Sequence, residues 1–161
     1  MRALTPIEIA IAFAIGGSVL AVFVPVFVRN VHASRLSEPL DGLQRIGARA
    51  VQLADGSPQS KAFPESVPQT PAQVPRGELV KDQPGTWNHP TWRLLDFSFD
   101  VPHAYSFELS SSNGPDVSSF TATARGDLDG DGVLSSFEVS GSVKPGQAPV
   151  TLPLEVRREI E

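Results

Sequence analysis

The sequence predicts an α+β protein in which one long N-terminal helix packs on an antiparallel β-sheet. Two patterns carry this prediction. Residues 4–28 form an apolar run whose only charge is Glu8, and residues 29–54 then place apolar residues at steps of three and four, as on one face of a helix. From Trp92 onward, apolar and polar residues alternate in short segments separated by turn residues. Such alternation is typical of antiparallel strands with one buried face.

The apolar run, residues 4–28, is long enough to cross a membrane. Residues 9–28 contain no charged side chain, and at about 1.5 Å per residue they span a hydrocarbon core of about 30 Å. Glu8 immediately precedes them. An acid at the centre of a membrane helix costs roughly 2.5 to 3.5 kcal/mol. We therefore interpret Glu8 as a functional residue.

Glu8, Gly17 and Pro25 mark three positions along this run. Their spacing resembles the N-terminus of type IV pilins and of the pseudopilins of type II secretion. In that family the mature chain carries a Glu at its fifth position, a glycine in the helix and a helix-kinking proline. The resemblance implies that these three residues serve assembly. It also implies that Glu8 neutralises the terminal amino group of a neighbouring subunit inside a helical bundle.

The same resemblance implies a processing site between Ala3 and Leu4. A prepilin peptidase would remove the leader, residues 1–3, and the amino group of Leu4 would be methylated. Ala3, Leu4 and Pro6 stand where the family usually has Gly, Phe and Leu. The resemblance implies a single-pass inner-membrane protein with a periplasmic head that later enters a filament.

Two alternatives remain open for this segment. One is a secretory signal that ends before Ser34, because residues 31–33 form a small-residue pattern, although such signals usually have only about 7 to 15 apolar residues. The other is a plain single-pass anchor, which leaves Glu8 unexplained. More arginines follow the run than precede it, so the positive-inside rule would place the C-terminal part in the cytoplasm. The pilin resemblance implies the opposite orientation.

Residues 29–54 are predicted to form the amphipathic half of the helix and to cover the sheet. Pro39 predicts a kink, because a proline in a helix interior removes a hydrogen bond. The sequence Asp-Gly-Ser-Pro at residues 55–58 predicts the end of the helix. The predicted apolar stripe consists of Leu36, Leu40, Leu43, Ile46, Ala50 and Leu53.

Residues 55–90 are predicted to be a Pro-rich connecting loop. Their many prolines lack the N–H group that a helix or a central strand needs. A flexible linker is one interpretation. The other is an ordered wrap in which Phe63, Val67, Val74 and Trp87 pack on the sheet. The run FPESVPQTP, residues 63–71, resembles a branch of the pilin family.

Residues 91–161 are predicted to form the antiparallel β head. The segments WRLLDFSF, AYSFEL, FTATARGDLDGDG and SSFEV resemble the same branch of pilin-like proteins. Alternation predicts strands over residues 94–101, 105–110, 120–125, 136–140 and 150–156.

Residues 127–138, DLDGDGVLSSFE, match the D-x-[DN]-x-[DN]-G-x5-E calcium loop. Alternate carboxylates in such a loop reach the ion, and the glycine allows a sharp turn. Because the flanking residues alternate as strands do, we predict a calcium loop between β-strands and not an EF-hand. An acidic turn without metal is the alternative. The template predicts as calcium ligands Asp127, Asp129, Asp131, the Val133 carbonyl, a water held by Ser135, and Glu138.

Composition narrows the function classes. A net charge of −5 and a pI of about 5.2 disfavour a nucleic-acid partner, since phosphate binding needs clustered Lys and Arg. The chain has no cysteine, so calcium is the predicted staple of a small head. We find no enzyme motif and predict no catalytic residues. His32, His89 and His103 are expected on the surface or at caps, and Trp87 and Trp92 in packing.

Together these observations favour a structural pilin-like subunit. The subunit would be anchored in the inner membrane and would assemble with copies of itself or related subunits into a type IV pilus or a type II secretion pseudopilus. Its head would be stabilised by calcium. One alternative is a membrane-tethered or secreted calcium-binding module that does not polymerise, and another is a periplasmic hydrolase.

Overall fold

The computed structural model describes residues 5–35 and 37–158. The chain divides into two compact units, residues 1–35 and 36–161, which are described separately. The predicted leader and the processing residues Ala3 and Leu4 lie outside the described residues, as does Leu36 of the predicted stripe.

The first unit is helix α1, Pro6–Arg35. Pro6 takes the first helical position, where its missing N–H has no intrahelical partner to lose. The segment Pro6–Val26 is long and apolar enough to cross a membrane, and none of it is buried within the chain. A secretory signal at an N-terminus meets the same criterion of length and composition. The predicted apolar N-terminal helix is therefore confirmed.

The second unit begins with helix α2, Ser37–Ala54. Its predicted stripe is only partly correct, because Leu40 is 40% exposed while the buried face includes two glycines. Pro39 lies in the first turn of α2 and not in a helix interior, so its missing N–H breaks no intrahelical bond. The helix ends as predicted, with Gly56 at φ 80°. The buried residues of α2 are Pro39, Gly42, Leu43, Ile46, Gly47, Ala50 and Ala54.

A six-stranded antiparallel sheet forms the rest of the second unit. Its strands run in the order β1-β2-β3-β4-β5, and β6 pairs with β4 beside β5. Helix α2 packs on β3, β4 and β5 and covers one face. The predicted combination of a helix with an antiparallel sheet is thus confirmed. The strands are β1 (Val67–Thr70), β2 (Tyr105–Asn113), β3 (Ser118–Gly126), β4 (Ser135–Val143), β5 (Val150–Thr151) and β6 (Glu155–Arg158).

Both edges of this sheet carry prolines. Pro68 lies inside β1, and Pro71 follows that strand directly. At the other edge, Pro149 precedes β5 and Pro153 separates β5 from β6. A proline removes one backbone donor from the exposed row of a strand.

The prediction of a strand over residues 94–101 is wrong. Residues Pro90–Leu94 form a short helix, α3, which His89 caps. The chain leaves α3 through Asp96 in the left-handed region, φ 52°, while the Phe97 N–H donates to the Trp92 carbonyl at 3.0 Å. The apolar residues of this segment enter a cluster of aromatic rings and not a ladder of strands.

The predicted burial of the last strand is also wrong. Val150, Leu152 and Val156 are each about half exposed, because β5 and β6 are short edge strands with little cover. Only Leu154 of the predicted apolar set packs against the core. The alternating pattern therefore predicted more buried side chains than these edge strands have.

The Pro-rich segment packs on the sheet through Phe63, Val67 and Trp87, as the ordered-wrap interpretation expects. We call residues 59–66 the strap. The strap brings Phe63 into the core, where its ring centroid lies 4.9 Å from that of Phe120. Val67 then enters β1 as a buried residue, and Trp87 is 8% exposed within the aromatic cluster. Side chains of β2 and β3 hold the strap through its backbone, as described below.

Candidate metal centre

The predicted calcium loop connects β3 to β4. Carboxylate oxygens of Asp127, Asp129 and Asp131 all lie within 4.8 Å of one another. Calcium binds oxygen at about 2.3 to 2.6 Å, so two oxygens on one ion can be at most about 5 Å apart. The three carboxylates therefore fit the spacing that a shared cation requires, and hard oxygen donors are the type that calcium prefers.

Hydrogen bonds within the loop set this geometry. Asp127 accepts from the Gly130 N–H at 2.8 Å through one oxygen and from the Gly132 N–H at 3.1 Å through the other. Asp129 accepts from the N–H two residues later at 3.0 Å, and Asp131 does the same at 2.6 Å. Gly130 and Gly132 have φ values of 79° and 90°, which other residues rarely adopt. The sequence thus folds the loop locally.

The electrostatic surroundings of the three acids differ. Asp127 is 2% exposed, whereas Asp129 and Asp131 face solvent. Arg76 Nε lies 4.0 Å from Asp127 Oδ2, but the Arg76 side chain is 76% exposed, so this ion pair adds little stability. The Gly77 N–H donates to the Asp127 carbonyl at 2.7 Å and fixes the loop against residues 76–77. A bound cation would add positive charge between the three carboxylates.

The other predicted ligands are placed differently. Val133 lies in the loop, where its N–H donates to Asp131. Ser135 is buried at the start of β4, and its hydroxyl donates to the Gly126 carbonyl at 3.1 Å, so it serves the strand pair. Glu138 lies within β4 opposite Thr123 and is not part of the carboxylate group. The structure thus assembles three of the predicted side-chain ligands.

Tyr105 lies beneath the loop and was not a sequence candidate. Its ring covers Gly126, where an added Cβ would stand 2.5 Å from the ring. Burial raises the pKa of the Tyr105 phenol, and the Glu38 carboxylate raises it further, while the Ser135 hydroxyl opposes both. Among the described residues, no polar atom meets Tyr105 Oη with normal hydrogen-bond geometry, and the nearby Ser135 hydroxyl donates to the Gly126 carbonyl instead. No sequence signal showed this arrangement, because it depends on the pairing of Tyr105 with Gly126 across two strands.

A second polar cluster joins His103 to Asp82. His103 is 1% exposed, its Nε2 lies 2.8 Å from Asp82 Oδ2, and its Nδ1 lies 2.8 Å from the Tyr105 carbonyl. Trp87 Nε1 donates to the same Asp82 oxygen at 2.7 Å. The expectation of a surface or capping role is therefore wrong for His103. Both of its ring nitrogens are engaged within the fold, which supports a structural role.

His89, Trp87 and Trp92 have the roles expected of them. His89 accepts a hydrogen bond from the Thr91 N–H at 3.2 Å and caps α3, as expected. Trp92 is fully buried and Trp87 lies edge-on to it at 5.4 Å, so the packing role expected of both is confirmed. The side chain of His32 lies outside the described side chains.

Glu8 has a partner within its own helix turn. Its carboxylate accepts from the Thr5 N–H at 2.7 Å and from the Thr5 hydroxyl at 2.9 Å, while the Glu8 N–H donates to that hydroxyl at 3.4 Å. This reciprocal pairing is a capping box, and the Thr-x-x-Glu spacing was visible in the sequence. Gly17 and Pro25, the other predicted assembly residues, also lie in α1.

Comparison with known proteins finds no similarity. No protein-family model matches the chain, and no curated protein or solved structure matches it.

Proposed function

We propose that this chain is a pilin-like subunit that is anchored in the inner membrane and assembles into a type IV pilus or a type II secretion pseudopilus. The observation that carries the proposal is the surface of α1. Every described side chain of α1 is exposed, and the sequence Pro6–Val26 is apolar apart from Glu8 and Ser18. An apolar surface of this extent needs lipid or other protein chains around it.

The size of the exposed residues supports this argument. Ile7, Phe13 and Phe23 are 72%, 78% and 68% exposed. Full burial of one such side chain is worth about 1.5 to 3 kcal/mol, so water is a costly environment for the helix. A bilayer would cover the apolar side chains of α1 before assembly, and a bundle of α1 helices from several subunits would cover them afterwards.

The position of Glu8 fits both stages. It lies in the first turn of α1, near one end of the apolar segment, where an acid is better tolerated than at the centre of a bilayer. In the filament its carboxylate would pair with the amino group of Leu4 from a neighbouring subunit. That pairing would compete with its capping of Thr5.

The capping box also favours a second candidate. The Glu8 carboxylate already accepts two hydrogen bonds from Thr5. Its presence can therefore be explained without a contact to a neighbouring subunit. A membrane-tethered calcium-binding module that does not polymerise is consistent with the same geometry. The two candidates differ in their N-terminus and in whether filaments contain the chain.

Analysis of the mature N-terminus tests the proposal. The protein is extracted from the membranes of the producing cell, and its intact mass and terminal sequence are determined. We expect loss of residues 1–3 and a methylated Leu4 amine. An intact Met1 would support the plain anchor, and a start at Ser34 would establish a secretory signal; either result contradicts the pilin proposal.

We infer that Asp127, Asp129 and Asp131 bind a metal ion and that this ion is calcium. With a dissociation constant of about 10⁻⁴ M and about 1 mM calcium, binding adds roughly 1.4 kcal/mol to the free energy of unfolding. The melting temperature of the full-length protein in detergent micelles should therefore rise by about 5 to 10 °C over its value with chelator. Magnesium should have less effect, since it requires compact octahedral coordination.

Three variants make this calcium test specific. Asp129→Ala should abolish the calcium response, whereas Asp116→Asn removes an exposed acid outside the loop and should preserve it. Glu138→Gln tests the ligand that the geometry leaves out, and an unchanged response would exclude it. A wild-type melting temperature that ignores both calcium and chelator would identify the loop as an acidic turn.

A further inference from the structure

Asn113, the last residue of β2, holds the strap against the sheet. Its Oδ1 accepts from the Phe63 N–H at 3.0 Å, and its Nδ2 donates to the Phe63 carbonyl at 2.9 Å. A side-chain amide offers an acceptor and a donor side by side, so Asn113 pairs with the backbone of Phe63 as a neighbouring strand would. The identity of this one side chain therefore determines whether the Phe63 backbone is satisfied.

The residue after Asn113 is Gly114. Glycine has no Cβ to shield its backbone nitrogen and gives the chain wide conformational freedom. For these reasons an Asn-Gly pair is especially prone to spontaneous cyclisation. Asn113 is also exposed to solvent where the chain leaves β2. The other two asparagines of the sequence, Asn30 and Asn88, precede valine and histidine.

We propose that the Asn113–Gly114 pair is a spontaneous modification site whose conversion releases the strap from the sheet. The Gly114 backbone nitrogen attacks Asn113 Cγ and forms a C–N bond. Nδ2 leaves as ammonia and carries away the proton from the Gly114 nitrogen. Water then hydrolyses one of the two C–N bonds of the resulting succinimide, which yields aspartate or isoaspartate. The step needs no oxidant or reductant.

Neither product can keep both hydrogen bonds to Phe63. Aspartate replaces the Nδ2 donor by a second acceptor oxygen, which faces the Phe63 carbonyl and leaves that carbonyl without its donor. Isoaspartate also adds one carbon to the main chain at the end of β2. Other contacts remain, such as Gln59 with Ser118 at 3.1 Å. The expected result is a local release of the strap and not global unfolding.

The fold controls the rate of this reaction. The Gly114 N–H donates to the Val117 carbonyl at 3.2 Å, and both ends of the Asn113 amide are bound to Phe63. Attack on Cγ requires these bonds to open, so native protein should react more slowly than unfolded protein. Modification would then accumulate with the age of the molecule.

Peptide mapping by mass spectrometry tests whether the site is modified. The full-length protein in detergent micelles is incubated at mildly alkaline pH, with and without urea, and sampled over time. We expect aspartate and isoaspartate at residue 113 in the native sample, formed more slowly than in urea, while Asn88 stays an amide throughout. A native sample that retains Asn113 after the urea sample has been converted would overturn the proposal.

Hydrogen exchange tests whether modification releases the strap. Asn113→Asp should speed exchange at the Phe63 N–H and lower the melting temperature by about 4 °C or more, whereas Asp116→Asn changes charge in the same turn and should do neither. If Asn113→Asp does not fold, aged and fresh wild-type protein are compared at residues 59–66. Equal exchange in the two would contradict the release.

Discussion

Helices α1 and α2 are neighbours in the sequence, but their side chains meet opposite surroundings. In α1, an added Cβ at Gly17 would have no atom within 4 Å. In α2, an added Cβ at Gly42 would lie 2.5 Å from the buried ring of Phe107. Gly42 therefore allows close packing against Phe107, whereas Gly17 makes no such contact within the described residues. The comparison shows that α2 is completed by its own sheet, and it fits the proposal that α1 is completed from outside the chain.

The largest expected effect lies in α1. Glu8→Gln removes the charge but keeps an oxygen that can complete the capping box. If the charge pairs with a neighbouring subunit, this variant should still insert into the membrane but be lost from sheared filaments, as measured by immunoblotting of both fractions.

Two further variants separate charge from capping. Thr5→Ala removes the partner that caps the helix and retains the charge, so it should still enter filaments. Glu8→Ala removes both functions and should behave as Glu8→Gln does. Normal incorporation of Glu8→Gln, with loss of Thr5→Ala from filaments, would show that Glu8 acts only as a helix cap and would contradict the charge pairing. Absence of the wild-type chain from filaments would favour the non-polymerising candidate.

A pair of alanine substitutions in α2 should differ in sign. Gly42→Ala places a methyl group against Phe107, and after a helix-propensity gain of about 1 kcal/mol we expect a net loss of about 1 to 2 kcal/mol in the free energy of unfolding. Gly47→Ala meets Thr151 and Val139 at ordinary distances of 3.5 to 3.6 Å and should gain up to about 1 kcal/mol. Thermal unfolding in micelles measures both.

Gly17→Ala is the matched control in α1. It adds a methyl group where the chain offers no contact, so the unfolding of the second unit should not change. A large loss in all three variants would contradict the division between a helix completed by its sheet and a helix completed from outside.

Tyr105 should make the second unit sensitive to alkali. Its folded-state pKa is raised, so its contribution to stability is fully present below the unfolded pKa of about 10 and is lost as the pH rises through the folded pKa. Tyr105→Phe should abolish this part of the alkaline loss. At neutral pH it should be neutral or stabilising by up to about 1 kcal/mol, because it removes an unpaired buried hydroxyl. Melting temperatures from pH 7 to 11 would reveal a persisting alkaline loss if this assignment is wrong.

The smallest effect is expected at Asp96. A residue other than glycine in the left-handed region costs roughly 1 kcal/mol, and glycine removes that cost. Asp96→Gly should therefore raise the free energy of unfolding by a few tenths to about 1 kcal/mol. Ser98→Gly, at a nearby exposed position without positive φ, should instead lower it. Equal effects from the two would show that Asp96 is not strained.

Local patterns predicted the parts of the fold that depend on neighbours in the sequence. The alternation around Phe107, Ala122 and Phe137 identified three strands correctly, and the Asp-Gly spacing identified the loop that gathers three carboxylates. The same alternation wrongly predicted a strand at Phe97. There the backbone closes the end of α3, and the apolar side chain is buried in the aromatic cluster. Periodicity records which residues are apolar, and it does not record what buries them.

Features that depend on strand register could not be predicted. Ser135 occupies a ligand position in the loop template, yet its pairing opposite Gly126 directs its hydroxyl to that carbonyl. The ring of Tyr105 covers Gly126 for the same reason. The link from Asp82 to His103 joins residues that are distant in sequence and that no motif connects.

The prolines at both edges of the sheet limit how copies of this chain can join. A strand at an open edge can recruit the same strand from another molecule through its free N–H and C=O groups, which is the route to domain-swapped and amyloid-like growth. Pro68 in β1 and Pro153 between β5 and β6 interrupt that row of donors on either side. The sheet is therefore poorly suited to template its own extension. If the proposed filament forms, these edges therefore favour growth through the α1 helices over growth by strand addition.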